Sequence, residues 1–299
     1  RILVVNHHLL FTDLAVRRAT RNWSQAAVLP AWRHVILDEA HNVEDAATSH
    51  LGVEVTRSGM YRTLARLERR GRGLLSSLQS AVGLQTDAAR AFSREIEERV
   101  RPHVESTRAR IDAFVECLEP LLRGAASDED ATAVRIRNGS VPGEPDPADA
   151  SMVDSGFDDG RLAADPSRAP GGTRTEGLID EPMGDPAIHD ATRELLAELQ
   201  GLERDLRRLT ERIDESEELS EAVGARLLDV RGVERRLGAA QVALKVVLDP
   251  GQEAVRWVRW LELRGRGRRR NLALAAAPIE LGPDLRDALW ARAETAVLS

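Results

Sequence analysis

Val35-Ile36-Leu37-Asp38-Glu39-Ala40-His41 decides how this chain is read: a short apolar run ends abruptly in two acids and, two residues on, a histidine. Apolar runs of this kind, closed by polar residues, are what buried parallel strands look like. Working outward, Ile2-Leu3-Val4-Val5 reads as a second such strand. Between them, residues 8–20 repeat apolar side chains at Leu10, Leu14, Val16 and Ala19. That spacing predicts a crossover helix joining parallel strands. The opening of the chain is therefore expected to be α/β.

Further along, the period becomes helical. Leu64, Leu67, Leu74, Leu75 and Leu78, followed by Ile96, Val100, Val104, Ile111, Phe114, Val115 and Leu118, predict two or three helices over 58–122, with Pro102 at a helix start or a kink. Leu195, Leu199, Leu202, Leu206, Leu209 and Ile213 recur at alternating steps of four and three. The phase carries on to Leu248, which predicts a long helix or a hairpin bent near Ser216 to Gly224. Packing against the earlier helices and pairing as an independent coiled coil are both open readings. Residues 255–261 and 271–275 return to β character and flank a turn, 282–292 suits a helix, and 295–299 starts a final strand. An α/β sheet is interrupted by helices and then resumed.

The 299 residues allow one large domain or two modest ones, and a 42% hydrophobic content can fill a core. No apolar run approaches the roughly 18 to 20 residues that cross a bilayer, and the start does not resemble a signal peptide. A cytoplasmic location without membrane association is the expectation. The first residue, Arg1, leads straight into an apolar run, so the chain is read as an internal piece of a longer protein. The net charge of −7 is unevenly spread: residues 127–192 carry fifteen acids against five arginines, which leaves the rest at +3. A mildly basic folded part is compatible with nucleic acid. Residues 141–192, with seven prolines, seven glycines and an acidic excess, are expected to be a disordered insertion. The single cysteine, Cys117, excludes an internal disulfide and cannot alone hold zinc or an iron–sulfur cluster; it reads as a small apolar helix residue.

At the carboxyl end of a parallel strand, side chains project into the crevice where α/β proteins bind nucleotides. Asp38 is placed to hold magnesium, generally through its waters, so that the metal bridges phosphate oxygens. Glu39 can orient and deprotonate an attacking water, and His41 stands where it can sense the phosphate. The competing account makes Asp38 and Glu39 caps of a helix beginning near Asn42. A metal site of His7, His8, His34 and His41 is a further rival, but no pair has the His-Glu-x-x-His spacing.

Val4-Val5-Asn6-His7-His8-Leu9-Leu10, followed by Val35 to Asp45 with its Asp-Glu-Ala-His box and trailing Asn42, resembles the DinG/XPD branch of superfamily-two DEAH helicases. Leu274-Ala275-Ala276-Ala277-Pro278-Ile279 and Thr295-Ala296-Val297-Leu298-Ser299 are similar to that family's approach to its SAT motif. The resemblance implies a partial RecA-like parallel-sheet motor domain with an inserted all-α arch: residues 1–56 and 251–299 would be motor and 57–250 arch. It also implies ATP and magnesium as cofactors, with single-stranded DNA and forked or structured duplex DNA as partners. The coupled activity is ATP hydrolysis driving translocation and unwinding, with roles in DNA repair. Asn6, His7 and His8 are then candidates for DNA contact; satisfying backbone groups at a strand end is the alternative.

Departures from the family pattern locate the piece. It has no Gly-x-x-x-x-Gly-Lys-Ser/Thr loop and no cysteine cluster, both of which the family carries upstream, so an iron–sulfur cluster is left open for the intact protein. Alone, the piece is expected to be inactive. Arg264, Arg266, Arg268, Arg269 and Arg270 form a basic run that reads either as a phosphate clamp or as a solvated hairpin tip, with Trp257 and Trp260 nearby as stacking or core residues. Two rival functions stand beside the helicase: a nucleotide-driven DNA-binding switch that does not unwind, and a non-catalytic helical interaction protein.

Overall fold

The computed structural model describes residues 2–20, 23, 26–83, 85–125, 132–137, 175–265 and 270–299, which pack around two main cores. The smaller core is built by α1 (His7–Thr20), β1 (His34–Leu37), α2 (Val43–Leu51) and α9 (Gly282–Leu285) with the π-helical turn that follows it, and β7 (Thr295–Leu298) lies outside it beside β1. Phe11, Leu14, Ala47 and Leu289 are fully enclosed there, and Leu37 brings the end of β1 against them. Strands β1 and β7 pair in parallel, Leu37 opposite Leu298, as a two-stranded sheet.

Three expectations change here. Residues 2–5 form no strand, and Ile2 and Val4 are 92% and 90% exposed; no described strand lies beside them, and an extended segment without a ladder partner gains no sheet hydrogen bonds. The parallel pair is not buried on both faces, since Ile36 is 73% exposed and every residue of β7 is exposed. The crossover helix does form as α1, but it leads from the irregular segment 2–6 rather than from a strand.

A buried ion pair fixes the approach to β1. Asp13 and Arg17, one turn apart on α1, are 0% and 2% exposed and meet at 2.7 Å. Asp13 also accepts the backbone N–H groups of Val28 and Leu29 at 3.0 and 2.8 Å and the Trp32 indole N–H at 3.3 Å. Arg17 donates to the carbonyls of Trp23, Leu29 and Pro30. A buried charge is tolerated when its hydrogen-bonding capacity is met in this way, and the loop leading into β1 is held as a result.

The larger core lies under a five-stranded sheet of order β2-β6-β5-β3-β4, formed by β2 (Val53–Thr56), β3 (Thr132–Ile136), β4 (Thr175–Ile179), β5 (Trp257–Arg264) and β6 (Asn271–Pro278). It is antiparallel except for β3 beside β4. Alternation along β6 sends Leu272, Leu274 and Ala276 toward the helices and Ala275 and Ala277 to the other face, against Trp260. The helices are α3 (Arg57–Leu67), α4 (Leu74–Val82), α5 (Asp87–Glu95), α6 (Arg101–Ala125), α7 (Pro186–Glu215) and α8 (Glu217–Leu248). A π-helical turn, Ile96–Val100, joins α5 to α6 and precedes Pro102. The wider turn absorbs a residue that has no N–H to donate and whose ring crowds the preceding turn.

Helices α7 and α8 form the hairpin that the leucine spacing predicts. The break falls at Ser216, whose side chain caps α8 by accepting the Leu219 N–H. The repeating positions from Leu195 to Ile213 are all at most 1% exposed, each side chain contributing about 1.5 to 3 kcal/mol by leaving water. Packing on α6 and on the rest of the core buries this stripe within one chain. Gly52, between α2 and β2, is needed because a Cβ there would lie 2.8 Å from the Ala276 carbonyl oxygen. The smaller core is thereby set close against the edge of the sheet.

Residues 141–174 of the expected disordered insertion lie outside the described residues. The remainder is structured: β4 runs from Thr175, and α7 starts at Pro186 with Asp185 as its cap. Proline at the first helical position and a capping acid are start signals that a count of prolines and acids conceals. The stretch 57–250 is not all-helical, since it contains β3 and β4, and β5 and β6 do not resume the parallel sheet but pair antiparallel in the larger one; β2 and β5, which flank the expected divisions at 56/57 and 250/251, share the helical core through Val55 and Leu261. Among the described residues, no helix is long and apolar enough to cross a membrane.

Candidate functional site

Asp38 and Glu39 stand where β1 ends, and the backbone holds that end tightly. The Ser299 N–H donates to the Leu37 carbonyl at 2.9 Å, and the Ala40 N–H donates to the Ser299 carbonyl at 2.9 Å. The two acids thus form the turn that closes over the end of β7. Glu39 has φ 52° and ψ 52°, the left-handed conformation that costs a non-glycine residue about 1 to 2 kcal/mol. Such outliers collect where a side chain is being aimed.

Both carboxylates face solvent. Asp38 has no hydrogen-bond or ion-pair partner among the described residues. Among the described residues Glu39 reaches only His41, at 3.3 Å to Nδ1, with both side chains 70% exposed. Neither acid caps a helix: Glu39 precedes the 3₁₀ turn Ala40–Asn42 without a side-chain cap, and the acids in the first turn of α2 are Glu44 and Asp45. The capping account of the box therefore has no contact behind it.

Chemically, the pair offers open carboxylate oxygens at the carboxyl rim of a parallel strand. Among the described residues, no group of three or more His, Cys, Asp or Glu could hold a metal by itself. A magnesium ion commonly keeps several waters and takes one or two carboxylates plus phosphate oxygens. The donor set fits an ion that arrives with a nucleotide and does not fit a resident, fully protein-ligated one. The four-histidine rival gathers no such group either.

The remaining site candidates separate. The Asn6 side chain accepts the Leu9 N–H at 2.8 Å and so caps α1. His8 Nδ1 lies 3.2 Å from His50 Nε2, tying α1 to α2; burial, and then the charge of His8, hold the His50 imidazole below its ordinary pKa. His7 is partly buried at the start of α1. Arg264 ends β5 in the other sheet, Arg270 stands just before β6, and Arg266, Arg268 and Arg269 lie outside the described residues. Arg264 is engaged by Glu54 at 2.8 and 3.0 Å and by Glu262 at 2.8 Å, and these acids hold its guanidinium firmly protonated. Trp260 is core, 5% exposed. Cys117 is a free, half-buried thiol on α6.

Sequence reading missed a cleft of about 470 Å³ between α3 and α8, with Arg62, Arg66 and Arg236 among its lining residues. It also missed His103, held between Asp205 at 2.8 Å and Glu198 at 3.0 Å where α6 meets α7. The only sequence signal for either was an arginine or histidine on a helix, which does not reveal its partners. No protein-family model matches the chain, and no curated protein matches it.

Proposed function

We propose that this chain is part of an ATP-dependent DNA helicase of the DinG/XPD type, supplying the magnesium-holding and water-activating box of its first motor domain. One observation carries the reading. β1 and β7, more than two hundred residues apart in sequence, are parallel neighbours, and Asp38 and Glu39 rise from their shared carboxyl rim. The helices and the five-stranded mixed sheet they cover therefore lie, in sequence, between two adjacent parallel strands, which supports reading them as an insertion into a RecA-like motor domain. Parallel neighbours require a crossover, and here the crossover contains the whole larger core.

In this reading Asp38 binds the magnesium of the nucleotide, chiefly through water, and Glu39 orients and deprotonates the attacking water. His41, within reach of Glu39, reports the state of the site to the turn that follows. Bound ATP supplies the phosphoryl transfer that drives movement along single-stranded DNA. Besides this box, the reading requires a phosphate-cradling loop and a second motor domain. A DNA-binding switch ATPase would share the same box, so the distinguishing experiment is unwinding. With ATP and magnesium, the full-length protein is expected to separate a forked duplex and to hydrolyse ATP faster with single-stranded DNA present. DNA-stimulated hydrolysis without strand separation would replace the helicase with the switch.

A further inference from the structure

We propose that the cleft between α3 and α8 is a second, nucleotide-independent binding site whose ligand is the phosphodiester backbone of a nucleic-acid strand. Its walls carry two arginines, Arg62 on α3 and Arg236 on α8, both exposed and without a hydrogen-bond or ion-pair partner among the described residues. The other charges near the cleft are already matched. Arg66 pairs with Asp229 at 2.5 Å, and Glu54 is held by Arg264 at 2.8 Å. What remains is the uncompensated charge of the two free guanidiniums facing one cavity.

The floor favours a nucleic acid over an acidic peptide. Gly59, Met60, Leu237 and Ala240 present a small-residue, largely apolar surface between the cations. A base or sugar covers such a surface while phosphates reach the rim, and a planar guanidinium fork matches a phosphate at two points. A carboxylate-bearing peptide satisfies the arginines but leaves the apolar floor wet. The volume, near 470 Å³, is in the range of small-ligand sites and admits roughly one or two nucleotide units of a single strand. Glu54 links the cleft through Arg264 to the end of β5.

Binding of a fluorescent oligothymidylate of about 12 nucleotides, followed by anisotropy without ATP or magnesium, tests this on the chain itself. Each single-strand phosphate contact contributes about 0.7 to the slope of log affinity against log salt, so Arg62→Gln with Arg236→Gln is expected to lower the slope by about 1.4. Affinity at about 50 mM salt should fall roughly 10- to 100-fold. Arg62→Lys with Arg236→Lys should keep most of the slope. Arg94→Gln with Arg204→Gln, which removes the same charge from exposed positions on α5 and α7, should leave affinity within about twofold of the unmodified chain. Circular dichroism checks that each variant keeps its helices. Absence of oligonucleotide binding, an unchanged slope in the Arg62/Arg236 pair, or an equal loss in the control pair overturns the proposal. So does tight binding of polyglutamate that the oligonucleotide cannot displace. Glu39→Gln should bind the oligonucleotide normally, so failure here and failure of the nucleotide chemistry are separately visible.

Discussion

Replacing Asp13 with Asn asks whether the approach to the candidate site is held by the buried network on α1. All four partners of the carboxylate are donors: the Arg17 Nε–H, the backbone N–H groups of Val28 and Leu29, and the Trp32 indole. An asparagine is nearly the same shape, yet in either orientation its NH₂ faces a donor, and the Arg17 charge, 2% exposed, loses its counter-ion. Removing one partner of a buried pair costs about 3 to 5 kcal/mol. Arg17 keeps the carbonyls of Trp23, Leu29 and Pro30, which places the expected loss near the lower end, about 3 kcal/mol. Trp23, Trp32 and Trp290 pack on the smaller core, whereas the helical signal comes chiefly from the larger one. Urea unfolding followed by tryptophan fluorescence should therefore move down by about 1 to 2 M, taking a slope near 2 kcal/mol per M, while the circular-dichroism transition moves much less. A fluorescence shift below about 0.5 M would refute the reasoning.

The remaining predictions concern titration. Tyr61 is the only tyrosine. Burial first, and then its hydrogen bond to Asp112, raise its phenol pKa above the ordinary 10, so ultraviolet titration should show late ionisation that moves back toward 10 in Asp112→Asn. Because the folded-state value is the higher one, the associated stability is present below the unfolded pKa and is lost as pH rises through the folded one. His50 behaves oppositely: its lowered pKa means the folded state holds the neutral ring, so acidification from neutral pH weakens the α1–α2 contact. Its imidazole resonance should titrate below 6.5 and move upward in His8→Ala; a value unaffected by that change would remove the role given to His8.

Much of this architecture was legible because its signals are local. The leucine steps from Leu195 to Ile213 define α7 without reference to anything distant, and the apolar runs around Trp260 and Leu274 with a turn between them define a hairpin. The Asp-Glu-Ala-His box was legible for the same reason, as acids at the end of an apolar run. Pairing was much harder to see. Val53-Glu54-Val55-Thr56 becomes a strand only because β6 lies beside it, and Ile2 to Val5 remains irregular because nothing does. Charge partners were equally hidden: Arg264, which reads as a phosphate clamp or a solvated tip, is held by two glutamates, whereas Arg62 and Arg236 carry no sequence signal and line a cleft without partners among the described residues. Composition misled at Pro186, where a helix starts inside a proline-rich acidic stretch.

The proposed helicase role has Glu39 acting on water at the rim where β1 and β7 end. Its most direct test is ATP hydrolysis by the full-length protein with single-stranded DNA present, comparing Glu39→Gln with the unmodified protein at equal nucleotide occupancy. Near-complete loss of turnover with nucleotide affinity retained is the predicted result. Turnover equal to that of the unmodified protein would contradict the assignment and leave a helical binding protein in its place.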